Sequence, residues 1–152
     1  MLSQKARYAL RAMIELARES GQVTAGELAV RADAPRKFLE AILLTLARQG
    51  LVTSRRGKFG GYLLGREPAQ ISFAEIIRLV DGPLALTPCV SRTAFRRCED
   101  CRDLATCALR EALLRARDAT AAVLEGYSLS DAVNGSGAEL LGEPPRASTH
   151  SI

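Results

Sequence analysis

All four cysteines of this 152-residue chain fall between positions 89 and 107, and the other 133 positions have none. No other feature restricts the fold and the chemistry as much. Scattered cysteines serve as small buried residues. Four thiols within nineteen residues, at 89, 98, 101 and 107, ask instead for a metal, a redox centre or a disulfide knot. Compartment helps to decide among these. The chain has no apolar run of the roughly 18–20 residues needed to cross a bilayer. Its start, Met-Leu-Ser-Gln-Lys-Ala-Arg, leads straight into an amphipathic pattern without the apolar stretch of a signal peptide. The expectation is a cytoplasmic chain with no membrane partner, in which thiols stay reduced and do ligand or redox chemistry.

The cluster also parts two unlike regions. Residues 1–66 hold twelve Lys/Arg against five Asp/Glu, a net +7, and the remainder holds nine against twelve, a net −3. A basic front half of that kind suits a polyanion, and a solvated basic face is the plain alternative. With 47% hydrophobic residues, the length allows one domain with a real core, or a small domain plus an extension.

Taken in order, Ser3 can cap a helix running to about Ser20 and stopped by Gly21. Ala6, Ala9, Leu10, Met13, Ile14 and Ala17 recur at the three-four spacing of one buried face. Thr24-Ala-Gly-Glu27 has the form of a capping box, opening a short helix to about Ala32. Asp33-Ala-Pro35 reads as a turn, and a third helix runs on to Gln49, burying Leu39, Ile42, Leu43 and Leu46. Two such helices joined by a short turn make a helix-turn-helix. Leu51-Val-Thr-Ser54 and Tyr62-Leu-Leu64 are β-prone runs enclosing Arg55-Arg-Gly-Lys-Phe-Gly-Gly61, a basic hairpin tip. That order, helix-turn-helix and then hairpin, is a winged helix. Ser72-Phe-Ala-Glu75 reads as a second capping box, for a helix to about Val80 that Asp81-Gly-Pro83 ends.

Beyond the cysteines, a long helix is expected from roughly Leu104 to Tyr127. Leu109, Leu113, Ala116, Thr120, Val123 and Tyr127 step along it by 4, 3, 4, 3, 4, a seam for self-association as a homodimer. Folding back over the N-terminal domain is the alternative. From about Asn134 the chain is rich in Gly, Ser, Glu and Pro, the composition of a disordered tail. The expected fold is mainly α with a small β-hairpin wing. Its parts are a winged helix-turn-helix over 1–83, a cysteine-bearing sensor loop over 84–103, a dimerisation helix over 104–130 and a tail over 134–152.

Early residues of a recognition helix face base edges in the major groove. Here they are Arg36, Lys37 and Glu40, with Thr45 further along. Arginine pairs with guanine acceptors and glutamate with the cytosine amino group, though Glu40 can instead pair with Arg36 or Lys37 on the helix surface. Arg55, Arg56 and Lys58 in the wing suit phosphates or the narrow minor groove of A/T-rich DNA. Tyr8 and Arg11 can add backbone contacts, and Tyr8 also suits a packing role. No catalytic constellation is present: the one histidine is His150, and the glycines at 57–61 lie between strands instead of opening a helix. The chain is not expected to be an enzyme.

Arg7-Tyr-Ala-Leu-Arg-Ala-Met, Phe38-Leu-Glu40 and Leu51-Val-Thr-Ser-Arg-Arg-Gly-Lys-Phe-Gly-Gly-Tyr-Leu-Leu64 resemble the Rrf-type family of bacterial winged-helix regulators. The resemblance spans about residues 1–130, and the wing motif is its most specific part. It implies a homodimer joined through a long helix, and in many members a 2Fe–2S or 4Fe–4S cluster on a cysteine loop just before that helix. Cys89, Cys101 and Cys107 then match the three cysteine ligands of the family's iron–sulfur regulator, and Glu40 matches its glutamate. This sequence departs in the longer first gap and the added Cys98. Arg110 stands where that regulator has a histidine, and Arg7 where the nitric-oxide sensor has an acidic ligand. The simplest fourth protein ligand is Cys98.

Four thiolates complete either an iron–sulfur cluster or a zinc site. An iron–sulfur cluster is the expected cofactor, 2Fe–2S favoured and 4Fe–4S possible, with zinc or metal-free redox thiols as alternatives. Arg92, Arg96, Arg97 and Arg102 are expected to favour the ionised thiols. Function is accordingly expected to be transcriptional regulation, as a repressor on an operator duplex, with oxygen or nitric oxide acting at the cluster. The alternative is a zinc-stabilised or metal-free regulator controlled by a partner protein.

Overall fold

The computed structural model describes residues 2–135. The tail expected over 134–152 therefore lies, apart from its first two residues, outside the described residues, and so does His150.

Helix α1 spans Gln4–Arg18, with the Ser3 hydroxyl accepting from the Ala6 amide, and α2 spans Ala25–Arg31 behind a complete Thr24/Glu27 capping box. Helix α3 spans Arg36–Arg48. The turn before it carries Asp33 at φ 51°, a left-handed position that a short polar side chain tolerates. Strands β1 (Val52–Arg55) and β2 (Gly61–Leu64) pair antiparallel, with Val52 opposite Leu64 and Arg55 opposite Gly61. Helix α4 (Phe73–Asp81) follows. The Ser72 hydroxyl caps it, but the carboxylate of Glu75 is drawn 2.5 Å to Arg66 instead of back to the cap, so this second box is half formed.

The three-four spacing places the core. Helix α1 buries Ala6, Ala9, Leu10, Ala12, Met13 and Leu16, against Leu39, Ile42, Leu43 and Leu46 of α3 and Ile76 of α4. Ile14 and Ala17, expected on this face, pack at its margin, because the buried stripe is rotated toward Ala12 and Leu16. Each fully buried leucine or isoleucine contributes about 1.5–3 kcal/mol over leaving it in water.

Two findings differ from the sequence expectation. Helix α5 spans Ala108–Glu125, so residues 104–107 belong to the loop and the loop reaches the last cysteine. Then Ser128 and Asp131 form a reciprocal capping box for a separate helix α6, Leu129–Asn134, which returns to the N-terminal domain. Ser72 and Ser128 form an isolated bridge, the Leu129 amide donates to the Ile71 carbonyl at 2.9 Å, and Leu129 is fully buried in the core. The winged head is thus completed by α6, from beyond the long helix. No described helix is long and apolar enough to cross a membrane.

Candidate functional site

Two regions carry polar chemistry, and α5 joins them. The first is the basic face of the winged head. Arg36 and Lys37 are exposed at the start of α3, and Thr45 is half-buried, its hydroxyl donating to the Ala41 carbonyl at 3.2 Å. Glu40 pairs with Arg36 across one turn, Nε to Oε1 at 3.0 Å. Tyr8 packs its ring edge-on against Phe38 with centroids 6.0 Å apart, and its hydroxyl accepts from Gln4 at 2.7 Å. Arg11 stands 3.8 Å from Asp33 of the turn. Arg55, Arg56 and Lys58 are exposed on the wing and pair with no carboxylate among the described residues. The head thus exposes cations both at the start of α3 and on the wing, with Tyr8 chiefly a packing residue.

The second region is the cysteine loop. Thr87, Cys89, Cys98, Cys101 and Cys107 line one cavity of about 340 Å³, together with Arg102, Arg110 and the α5 residues Leu109 and Leu113. Cys89 sits in a single 3-10 turn, Pro88–Val90, and is 6% exposed; the other three thiols are partly open. Cys107 is the residue that opens α5. The Thr87 hydroxyl, 3.3 Å from the Cys89 sulfur, holds that thiol below its ordinary range, aided by the Cys98 thiol and by the charge of Arg110. Cys98 is pushed up, first by its hydrogen bond to Cys89. Among the described residues, no three His, Cys, Asp or Glu side chains are gathered closely enough to hold a metal ion. The donor set and the shared cavity suit a thiolate-ligated group. The final ligand spacing would have to form on binding, as is usual where ligation and folding are coupled.

The arginines around this loop are only in part the expected ones. Arg92 pairs with Asp118 at 3.0 Å, Arg97 donates to the carbonyls of Cys101 and Arg102, and of the four only Arg102 lines the cavity. Arg110 and Arg117 of α5 reach the loop instead. Arg110 donates to the Cys89 carbonyl at 3.3 Å, and Arg117 donates to the Val90 carbonyl at 2.6 Å. Their seven-residue separation, two helical turns, sets both on one face of α5, the only sequence signal that could have singled them out. The other expected seam residues follow a different stripe of α5: Leu109 is 66% exposed and Val123 69%, Ala116 and Thr120 are exposed, and Leu113 is partly buried. Tyr127, expected as the last of them, lies beyond the end of the helix at Glu125, with its ring against Phe73 of α4.

A helix-turn-helix continuous with a basic hairpin is the head of a winged-helix DNA-binding transcriptional regulator. Residues 2–135 match the Rrf2 family, described as an iron-dependent transcriptional regulator, and the chain belongs to that family. An rrf2-like HTH-type regulator of Rhodobacter capsulatus is 41% identical over 136 residues, covering 86% of this chain and 91% of its relative. The structure of CymR, the global cysteine regulator of B. subtilis, is similar at TM-score 0.72 and 35% identity, covering 88% of this chain and 95% of that one. The structure of T. potens IscR is similar at TM-score 0.71 and 25% identity, covering 95% and 93%.

Proposed function

We propose that this regulator works as a homodimer joined through α5, gripping an operator duplex with two winged heads, and that the 89–107 loop makes the grip respond to iron–sulfur, redox or nitric-oxide status. The observation that carries the reading is that all four thiols line one cavity at the start of α5. Cys89, Cys98, Cys101 and Cys107 would hold an iron–sulfur cluster, 2Fe–2S favoured. When bound, such a cluster supplies reversible electron transfer and reactivity toward oxygen and nitric oxide.

The chain's own residues supply the coupling. Arg110 and Arg117 tie the Cys89–Val90 turn to α5, so a change in the loop's shape pulls on the helix that bears the dimer seam. At the far end of α5, Arg78 of α4 bonds Glu125 at 2.5 Å and the Phe73 and Tyr127 rings meet edge-on at 5.1 Å. The helix thus connects loop and head. A tenfold change in duplex affinity needs only about 1.4 kcal/mol of such coupling. In the head, Arg36, Lys37, Glu40 and Thr45 are assigned to base edges and Arg55, Arg56 and Lys58 to phosphate or the minor groove, with Arg11 a backbone contact.

A metal-free thiol switch is the second reading, favoured by Cys89 and Cys98 lining one cavity and by the likeness to CymR. Anaerobic purification separates the two. A coloured protein containing iron and acid-labile sulfide supports the cluster, whereas a colourless protein free of both overturns it.

A further inference from the structure

We propose that Phe59 is an apolar wedge, which the wing carries into the minor groove of the bound duplex to unstack a base step. The inference rests on the DNA-binding reading and adds to it a residue outside the cationic set. Phe59 is 81% exposed at the wing tip. A single exposed apolar residue means little alone, but here the surroundings hold the ring outward. The tip is a four-residue turn, Gly57-Lys-Phe-Gly60, closed by the Gly60 amide donating to the Gly57 carbonyl at 2.9 Å. Gly57 sits at φ +113°, and a Cβ on Gly60 would lie 2.5 Å from the Arg55 carbonyl oxygen, so both positions demand glycine. The Gln22 side-chain amide donates to the Phe59 carbonyl and fixes the tip to the segment between α1 and α2. The aromatic ring therefore projects from a backbone anchored on two sides.

Charge identifies the occupant. The Lys58 ammonium lies 5.8 Å from the Phe59 ring centroid, and Arg55 and Arg56 flank the turn, exposed. An apolar pocket on a protein partner would have to desolvate three cations along with the ring. A duplex instead offers phosphates to the cations and the stacked faces of bases to the ring. Apolar side chains that enter the minor groove beside cations unstack a step and bend the helix axis.

The chain has no tryptophan, so Phe59→Trp places a single reporter at the tip. The probe is the duplex that the wild-type protein enriches from a random pool, end-labelled with a dye pair to report bending. The Phe59→Trp emission should be open to acrylamide in the free protein and shielded once this duplex is added. Phe59→Ala should weaken binding roughly tenfold and reduce the bend, while leaving the slope of affinity against salt unchanged. Arg56→Ala should instead lower that slope by about one. Equal affinity and equal bend in Phe59→Ala, or a tryptophan that stays open to quencher on the duplex, overturns the wedge alone. Shielding that follows protein concentration without DNA assigns the ring to a protein contact and also overturns it. If the wild type enriches no duplex, the DNA-binding reading fails and the wedge with it.

Discussion

The winged head and the arm of loop and α5 treat apolar surface in opposite ways. In the head, α1 alone buries six residues and α3 four, and the returning α6 closes the core with Leu129. From Leu84 to Glu125 only Cys89, Val90, Ser91 and Ala121 are buried, while Leu86, Phe95, Leu109 and Val123 face solvent. The head is complete within its own chain. The arm is open on two sides, along the outer stripe of α5 and within the cysteine cavity, which is what the proposed sensor between a DNA reader and a second copy would need.

The largest effect that would test this contrast is a cavity cut in the head. Leu43→Ala should cost about 2–5 kcal/mol in urea unfolding, whereas Ala at exposed Leu109, measured on dilute protein, should change stability by about 0.5 kcal/mol or less. Equal losses at the two sites would erase the distinction. Next, Val123→Glu should leave the helical circular dichroism of the head in place while weakening self-association at least about tenfold by analytical ultracentrifugation. A dimer that persists would return α5 to a fold-back role.

Smaller effects probe how the head is fastened. The Ser3 hydroxyl caps α1 and also donates to Asp81 at the end of α4, so Ser3→Ala should cost about 1 kcal/mol in thermal melts. Glu27 is held below the ordinary carboxylate range by the Thr24 hydroxyl and amide, Asp131 likewise by Ser128, and Asp118 in the arm by Arg117. A carboxylate depressed in the folded state adds stability above its unfolded pKa, and loses it as pH falls through the folded value. Melting temperature should therefore hold near neutrality and fall as pH drops through and below the usual carboxylate range, with Thr24→Ala flattening the fall. Least of all for stability, Glu40→Ala should shift unfolding by about 0.5 kcal/mol or less, since its pair with Arg36 is exposed. The same change should relax base preference in duplex selection, and a preference left intact would make Glu40 a surface partner of Arg36 only.

What the sequence made legible follows the same division. Periodicity, caps and glycine punctuation are local signals, and they located α1, α2, α3, the hairpin and α4 to within a few residues. The cysteine spacing likewise marked the loop. Local signals could not show α6 returning to the head, because Leu129 is buried by residues far away in the chain. They also placed the start of α5 at Leu104. Asp103 instead accepts from the Ala105 amide and the Thr106 hydroxyl, a local turn that competes with helix up to Cys107. The choice of Arg110 and Arg117 over the loop's own arginines is likewise a matter of tertiary placement. Arg92 is taken by Asp118, while α5 aims Arg117 at the loop backbone.

Whether loop chemistry governs the grip of the heads can be read in one anaerobic titration. The enriched duplex is titrated with the wild type and with the Cys101→Ala/Cys107→Ala double variant, each before and after exposure to nitric oxide. The wild-type affinity should change about tenfold or more on exposure, and the variant should stay at one value throughout. The same change in both proteins, or none in either, would contradict the coupling.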